Sequence, residues 1–190
     1  MTTDPATDRR SARSRDLLLA ALVELMQERG FERLTTQNLI DRAGVGRATF
    51  YAHFQNKDEL LVASVGRLRA WLEEMGRRDR TQHFGFMRPF FDHLSSHRAM
   101  YHTTFARASE VSVERHVRAM LRELVRADLL ARRTPRQDDA AIELATQFVV
   151  STLWAVIVWW MEGGTKQPAE EMHAVFRRLC APGLELTLGG

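Results

Sequence analysis

The sequence predicts an all-α protein, with a three-helix helix-turn-helix domain at the N-terminus followed by a longer helical domain. Three observations carry that prediction. Apolar residues recur at helical spacing through most of the 190 residues. No stretch alternates with the two-residue period of a strand. A compact run of small and aromatic residues at 35–54 has the make-up of two short helices crossing around a tight turn. A hydrophobic share of 45% against 27% charged residues is that of an ordinary globular chain, long enough to bury a core in one or two domains.

Residues 1–10 read as a loose, basic-ended arm. The first helix spans 11–29, with Leu18, Ala21, Leu22, Leu25 and Met26 on one face, and Gly30 supplies a left-handed C-terminal cap. Thr35 or Thr36 caps a second helix that runs to Ala43. Gly44 takes the positive-φ position of the turn, and a third helix covers 47–53 with Phe50 and Phe54 pointing inward. Asn56 caps a fourth helix that starts at Lys57 and runs into 77–80; Leu60, Leu61, Val65, Leu68 and Leu72 mark its buried side. The polar run 77–82 is a seam.

Beyond it, Pro89 fits the first turn of a helix carrying Phe90, Phe91 and Leu94. A short helix at 97–107, an amphipathic one at 113–130 and a polar break at 132–137 come next. A long helix then opens at Asp138 or Asp139 and ends at the pair Gly163 and Gly164. The last helix spans 169–179, with Pro182 and Gly183 as its stop. The resulting division is a helix-turn-helix domain at 1–56, a connecting helix at 57–80 and a second helical domain at 81–190, the part that the resemblance given below makes a ligand-binding and dimerisation domain.

Net charge is +3 and the isoelectric point about 9.6, which permits nucleic-acid binding without demanding it. Lys57 and Lys166 are the only lysines; the arginines suit two-pronged contacts to phosphate and guanine. The single cysteine, Cys180, excludes an intramolecular disulfide and reads as a small buried hydrophobe. The first thirty residues lack a signal-peptide pattern, and the apolar run 148–161 is shorter than the ~18–20 residues of a membrane span. The expectation is a cytoplasmic protein with no membrane contact and no cofactor.

The outer face of the third helix is where chemistry concentrates. Arg47 offers two hydrogen bonds to a guanine, Thr49 serves as donor or acceptor, and Ala48 touches a thymine methyl. Tyr51 and His53 lie further along, where a hydroxyl and an imidazole reach phosphate oxygens. Thr35 and Thr36 open the second helix and Lys57 the fourth, and helix N-termini carry unsatisfied N–H donors that favour phosphate. Packing explains Leu39, Ala43, Val45, Phe50 and Phe54, but not the polar residues at these offsets.

Gly30-Phe31, Thr35, Ala43-Gly44-Val45, the run Thr49-Phe50-Tyr51-Ala52-His53-Phe54, and Lys57 with Glu59, Leu60 and Leu61 together resemble the N-terminal signature of the TetR/AcrR family of bacterial regulators. The resemblance covers roughly residues 11–65. It implies a DNA-binding domain joined by a fourth helix to a variable ligand-binding and dimerisation domain. By it, Thr35, Tyr51, His53 and Lys57 hold phosphate, while Arg47, Ala48 and Thr49 lie at the reading end. Gly46 departs from the family's frequent serine and loses an N-cap side-chain bond. Repression is the family default; activation by the same fold is the alternative.

The run 148–161 is apolar nearly all round, so the helix must be enclosed on every side. That points to a homodimer seam shared with the last helix (Met172, Val175, Phe176, Leu179), with Ser151, Trp154, Ala155 and Val158 at the contact. A small-molecule effector pocket is expected among Phe91, Met100, Tyr101, Phe105, Met120 and Trp154. His93 and His97, four residues apart, are the one spacing that fits a metal on a helix face, and a helical metal-binding protein is the remaining alternative. No glycine-rich phosphate loop, nucleophile elbow or metalloprotease pattern supports an enzyme.

Overall fold

A computed structural model describes residues 5–78, 83–105, 111–134, 137–163 and 166–188. Among them every regular element is an α-helix, in the order α1 (Pro5–Arg29), α2 (Thr36–Ala43), α3 (Arg47–His53), α4 (Lys57–Arg78), α5 (Met87–Ser96), α6 (Arg98–Phe105), α7 (Val111–Ala131), α8 (Asp139–Glu162) and α9 (Ala169–Leu188). Of the expected seam at 77–82, Arg77 and Arg78 end α4 and 79–82 lie outside the described residues, as do 135 and 136 of the expected break at 132–137.

Two helix ends lie more than two residues from the sequence expectation. The arm is helical from Pro5 onward, because a proline in the first helical position forfeits no internal hydrogen bond. At the other terminus α9 runs through Pro182 to Leu188. A proline inside a helix removes one backbone bond, and tertiary contacts hold these last turns. Leu184 packs on the core, and Gly183 sits so close to Phe148 that a Cβ there would fall 2.8 Å from the ring.

α1 lies across α2, α4 and α6. Leu18, Leu22, Leu25, Phe31, Leu39 and Phe50 are fully or almost fully buried between α1, α2 and α3; each such side chain contributes roughly 1.5–3 kcal/mol on leaving water. α4 passes from this cluster onto α5 and α7, and two ion pairs pin it: Arg67 to Asp16 of α1 at 2.9 Å, and Arg69 to Glu123 of α7. The larger cluster sits between α5, α7, α8 and α9 around Phe90, Phe91, Leu121, Leu153, Trp160 and Phe176. Arg98 ties α6 to α8 by donating to the Trp160 carbonyl at 2.8 Å, and the Trp160 indole donates to the Gln167 carbonyl.

The whole of α8 is longer than its apolar run. By length and composition alone it could cross a membrane, with an 18-residue window of mean hydropathy 1.8. Half of that window is buried inside the protein, by Ile142, Val149, Leu153, Ile157 and Trp160 among others, as in the core helix of a globular fold. Cys180 is buried in the same cluster, and burial pushes its thiol up to about 11, so it is neither ionised nor a ready nucleophile at neutral pH.

Candidate nucleic-acid interface

The hairpin of α2 and α3 is built by local rules. Thr35 caps α2 by accepting from the Asn38 amide, and the Asn38 side chain accepts from the Thr35 amide in return. Gly44 closes the helix at φ 62°, the left-handed conformation that glycine adopts without strain. Gly30 ends α1 at φ 78° in the same way. Gly46 is different: φ is −75°, and a Cβ would meet only the Thr49 hydroxyl at 3.7 Å, so neither backbone nor space demands glycine there.

α3 is seven residues long, too short to hold itself together. It is fastened from behind by Phe50, whose ring packs against Phe54 and edge-on against Tyr51. Arg15 of α1 lies over the Phe54 ring at 5.8 Å. Arg42 at the end of α2 bridges Glu24 and Glu28 of α1 at 3.1 and 2.8 Å, tying the hairpin to the helix beneath it.

With the back occupied, the front carries the residues singled out from the sequence. Arg47 and Ala48 are exposed at the N-terminal end of α3, Thr49 is half-buried, Tyr51 is 51% exposed and His53 is half-buried beside it. Thr35 is exposed and Thr36 half-buried at the start of α2. Arg47 makes no hydrogen bond or ion pair among the described residues, so its guanidinium faces solvent with its donors uncommitted. Asn56 and Glu59 cap α4, the Glu59 carboxylate accepting from the Gln55 amide.

Lys57 is arranged differently from the sequence expectation. Its ammonium donates to the carbonyls of Phe31 and Glu32 at 3.1 and 3.2 Å and rests 4.6 Å from the Phe31 ring centre. The side chain therefore straps α4 to the end of α1, and two of its three N–H donors are spent inside the protein. Its position in sequence marks the strap, but nothing in the sequence tells that the carbonyls after Gly30 turn toward it.

The residues expected to line an effector pocket fall into three places. Met100 and Tyr101 line a cavity of about 310 Å³ at the junction of α1, α4, α6 and α7, whose walls also include Trp71, His93 and His97. Phe91 and Met120 are core: Phe91 stacks among Trp160, His173 and Phe176. Trp154 is buried under the Arg118 guanidinium at 4.4 Å, and the Phe105 side chain lies outside the described residues. A second cavity of about 500 Å³ lies among α5, α7 and α9, between Phe84, Leu129, Arg132, His173, Arg177 and Leu184.

His93 and His97 serve the first cavity. The His93 Nε2 lies 3.2 Å from the Tyr101 hydroxyl, and the His97 Nδ1–H donates to the His93 carbonyl at 3.0 Å. Burial, helped by the neighbouring His97, pulls His93 down to about 4. Burial raises the Tyr101 phenol, which stays protonated. No group of three potential metal ligands gathers among the described residues.

The seam residues also divide. Ser151 and Ala155 are exposed and Val158 half-buried on α8. Met172 and Phe176, at 0% and 1% exposure, are consumed by the protomer's own core and cannot face a second chain. The outward stripe of α8 instead runs Leu144, Phe148, Ser151, Ala155, Trp159, with Leu144 65% and Trp159 52% exposed, beside Leu179 of α9. The four-and-three spacing from Ser151 and Ala155 reaches these residues, but an all-apolar sequence does not announce which side is out.

A short polar-faced helix, locked from behind by aromatic rings and flanked by two further helix N-termini, defines a helix-turn-helix DNA-binding protein. Residues 18–64 match the family described as bacterial regulatory proteins, tetR family, and residues 83–181, more than half of the chain, match the transcriptional regulator C-terminal region. The chain belongs to the tetR family of bacterial transcriptional regulators. It is 22% identical to the HTH-type transcriptional repressor KstR2 of Mycolicibacterium smegmatis, with 97% of each chain covered. The fold is shared with a TetR transcriptional regulator from Streptococcus agalactiae (TM-score 0.69, 21% identity, 92% of this chain and 97% of that one). It is shared also with the repressor FadR of Thermus thermophilus, solved with lauroyl-CoA (TM-score 0.63, 20% identity, 90% and 94%).

Proposed function

We propose that the protein is a ligand-responsive repressor that binds a palindromic operator as a homodimer in the cytoplasm. The observation that carries this reading is the outward row of α3, where Arg47, Ala48 and Tyr51 stand clear of the fold, with His53 half-buried beside them, next to the capped start of α2. In it, Arg47, Ala48 and Thr49 read base edges, while Thr35, Thr36, Tyr51 and His53 grip phosphates and Lys57 adds its one uncommitted N–H. Residues 1–56 form the reading unit, 57–80 the connecting helix and 81–190 the unit that dimerises and takes the effector. The exposed apolar stripe of α8 with Leu179 supports a second copy of the chain as its cover. Repression rather than activation is supported by the full-length relative from M. smegmatis, which is a repressor.

The test is selection of bound duplexes from a random pool by the purified protein. The expected product is an inverted repeat whose half-site centres are about 10 bp apart or a multiple of it. Tyr51→Phe is expected to weaken every duplex alike with the salt slope unchanged, since a neutral hydroxyl displaces no counterion, whereas loss of a charged phosphate contact lowers the slope by about one. Arg47→Ala is expected to remove about 1–3 kcal/mol of discrimination at one position of each half-site. A reporter with the selected site placed over its promoter is expected to fall when the protein is made; a rise would mean activation. Indifference to duplex DNA at low ionic strength would sink the reading.

A further inference from the structure

We infer that the cavity between α1, α4, α6 and α7 is the effector site, that it takes a small, flat, neutral aromatic molecule, and that such a ligand acts by wedging α1 and α4 off the helices beneath them. The inference rests on the reading of the chain as a ligand-responsive DNA-binding protein, and it adds the site, the ligand class and the route of the signal.

Location selects this cavity over the larger one. The cavity among α5, α7 and α9 has no lining residue from α1, α2, α3 or α4, so a ligand there touches nothing that moves with the reading helix. The junction cavity is walled by both sides of the molecule: Val23 and Met26 from α1, Leu68 and Trp71 from α4, Tyr101 from α6 and Val117 from α7. The lining residues of α1 alternate with its ties to the hairpin. Glu24 and Glu28, which hold Arg42 of α2, follow Val23 and Met26 by one and two residues. A displacement of α1 at the cavity is therefore delivered to α2, and through Gly44 to α3.

The walls specify the chemistry. Trp71, His93, His97 and Tyr101 make a connected aromatic surface: the Trp71 and His93 rings are 5.9 Å apart, His93 and His97 4.4 Å, and His93 and Tyr101 5.9 Å. Flat rings stack on such a surface far better than flexible chains do. At about 310 Å³ the cavity is at the small end for ligand sites, enough for one or two fused rings.

Charge is unwelcome. His93 is neutral above about pH 4, the Tyr101 hydroxyl stays protonated, and the Arg67 guanidinium at the rim is held by Asp16 at 2.9 Å. Among the described residues an anion finds no unpaired cation here and a cation no unpaired carboxylate, so either loses its hydration without replacement. The His97 Nε2, whose ring is fixed by its Nδ1–H bond to the His93 carbonyl, and the Ser64 hydroxyl supply the polar contacts that orient one ligand hydroxyl or carbonyl.

The experiment uses the full chain, with 2-naphthol as the neutral probe and 2-naphthoate as its anionic match, titrated by calorimetry at pH 7.5. 2-Naphthol is expected to bind once per chain and 2-naphthoate at least tenfold more weakly. Ser64→Leu, which fills the cavity, and Trp71→Ala, which removes an exposed wall and leaves the core alone, are each expected to weaken 2-naphthol at least tenfold. Leu184→Trp in the other cavity is expected to change nothing. On the duplex recovered by selection, saturating 2-naphthol is expected to weaken binding 5- to 150-fold, the usual range of coupling between sites. Equal binding of the two probes, or no binding of 2-naphthol at millimolar concentration, overturns the ligand class. Loss of binding with Leu184→Trp but not Ser64→Leu overturns the site, and an unchanged duplex affinity overturns the wedge. A chain that binds 2-naphthol yet no duplex of any sequence sinks the regulator reading and the wedge with it, while the cavity and its ligand class stand.

Discussion

Helix α3 buries one residue of its seven, Phe50, whereas α8 buries eleven of its twenty-four. Each still leaves a face outside, and the two faces are made of different things. α3 shows Arg47, Ala48, Tyr51 and His53, side chains with donors, a methyl and a hydroxyl at fixed offsets. α8 shows Leu144, Phe148, Ala155 and Trp159, side chains with almost nothing to offer but area. A polar face on a helix too short to stand alone is worth holding in place only for what it touches. An apolar stripe on a helix that is already stable is worth exposing only if something covers it. On the function proposed above, the first is a surface that reads and the second a surface that pairs.

The largest effect is expected where the reading surface is fastened. Phe50→Ala leaves α3 without its anchor and opens a void beneath Phe54 and Tyr51, at about 3–5 kcal/mol. Denaturant unfolding measures it, and DNA binding is expected to vanish before the rest of the helices melt. A loss under 1 kcal/mol would mean that α3 is held by something other than its aromatic back. On the pairing surface the corresponding change is Trp159→Arg. The side chain is half exposed in the protomer, so the fold is expected to survive. A central aromatic contact is worth about 2 kcal/mol or more in an interface, and the variant is expected to sediment as a monomer and to bind a single half-site. A variant still dimeric at micromolar concentration would move the seam off this face of α8.

The two surfaces were also unequally legible. The caps and turns around α3 are written in the residues that make them: Thr35 with Asn38, Gly44 at positive φ and Asn56 with Glu59 each follow from one residue type in one backbone geometry. The end of α2 and the bounds of α3 were readable to the residue, while the start of α2 stayed open between Thr35 and Thr36 as its cap. α8 gave a long apolar run, which shows that a helix is enclosed but not which neighbour encloses which side. Met172 and Phe176 look the same in sequence whether they meet their own core or a second chain, and only packing shows that the core has them. Likewise α9 passes Pro182 because of Gly183 against Phe148, a contact 35 positions apart in the chain. The cavity was half readable: Met100 and Tyr101 were within reach of pattern, but its α1 wall of Val23 and Met26 depends on how α1 crosses α6.

Lys57 stands between holding the proposed reading unit and belonging to it. Lys57→Met keeps most of the stem and removes the hydrogen bonds to the Phe31 and Glu32 carbonyls. The expected loss is about 1.5 kcal/mol, less than the full penalty of an unpaired carbonyl because Phe31 also accepts from the Leu34 amide. Thermal unfolding reads that loss. The salt slope of DNA binding reads the remaining N–H: a slope lowered by about one means a phosphate contact as well as a strap, and an unchanged slope means a strap alone.

The smallest effect is expected at Arg42, and its form matters more than its size. Its two carboxylate partners raise its pKa, yet all three groups are open to water, where salt and side-chain freedom take back most of an ion pair's attraction. Arg42→Ala is expected to lower Tm by about 2 °C or less, and by less again in 0.5 M NaCl. Arg42→Lys separates charge from geometry: one ammonium cannot reach Glu24 and Glu28 with the fork that a guanidinium presents. If the fork holds α2 in register on α1, the lysine variant keeps its Tm within a degree or so of the parent yet releases DNA less sharply when the junction cavity is filled. If it responds to ligand as the parent does, the hairpin follows α1 through its buried contacts, Leu39 and Phe31 foremost, and the surface bridge is an ornament of the fold rather than part of its transmission.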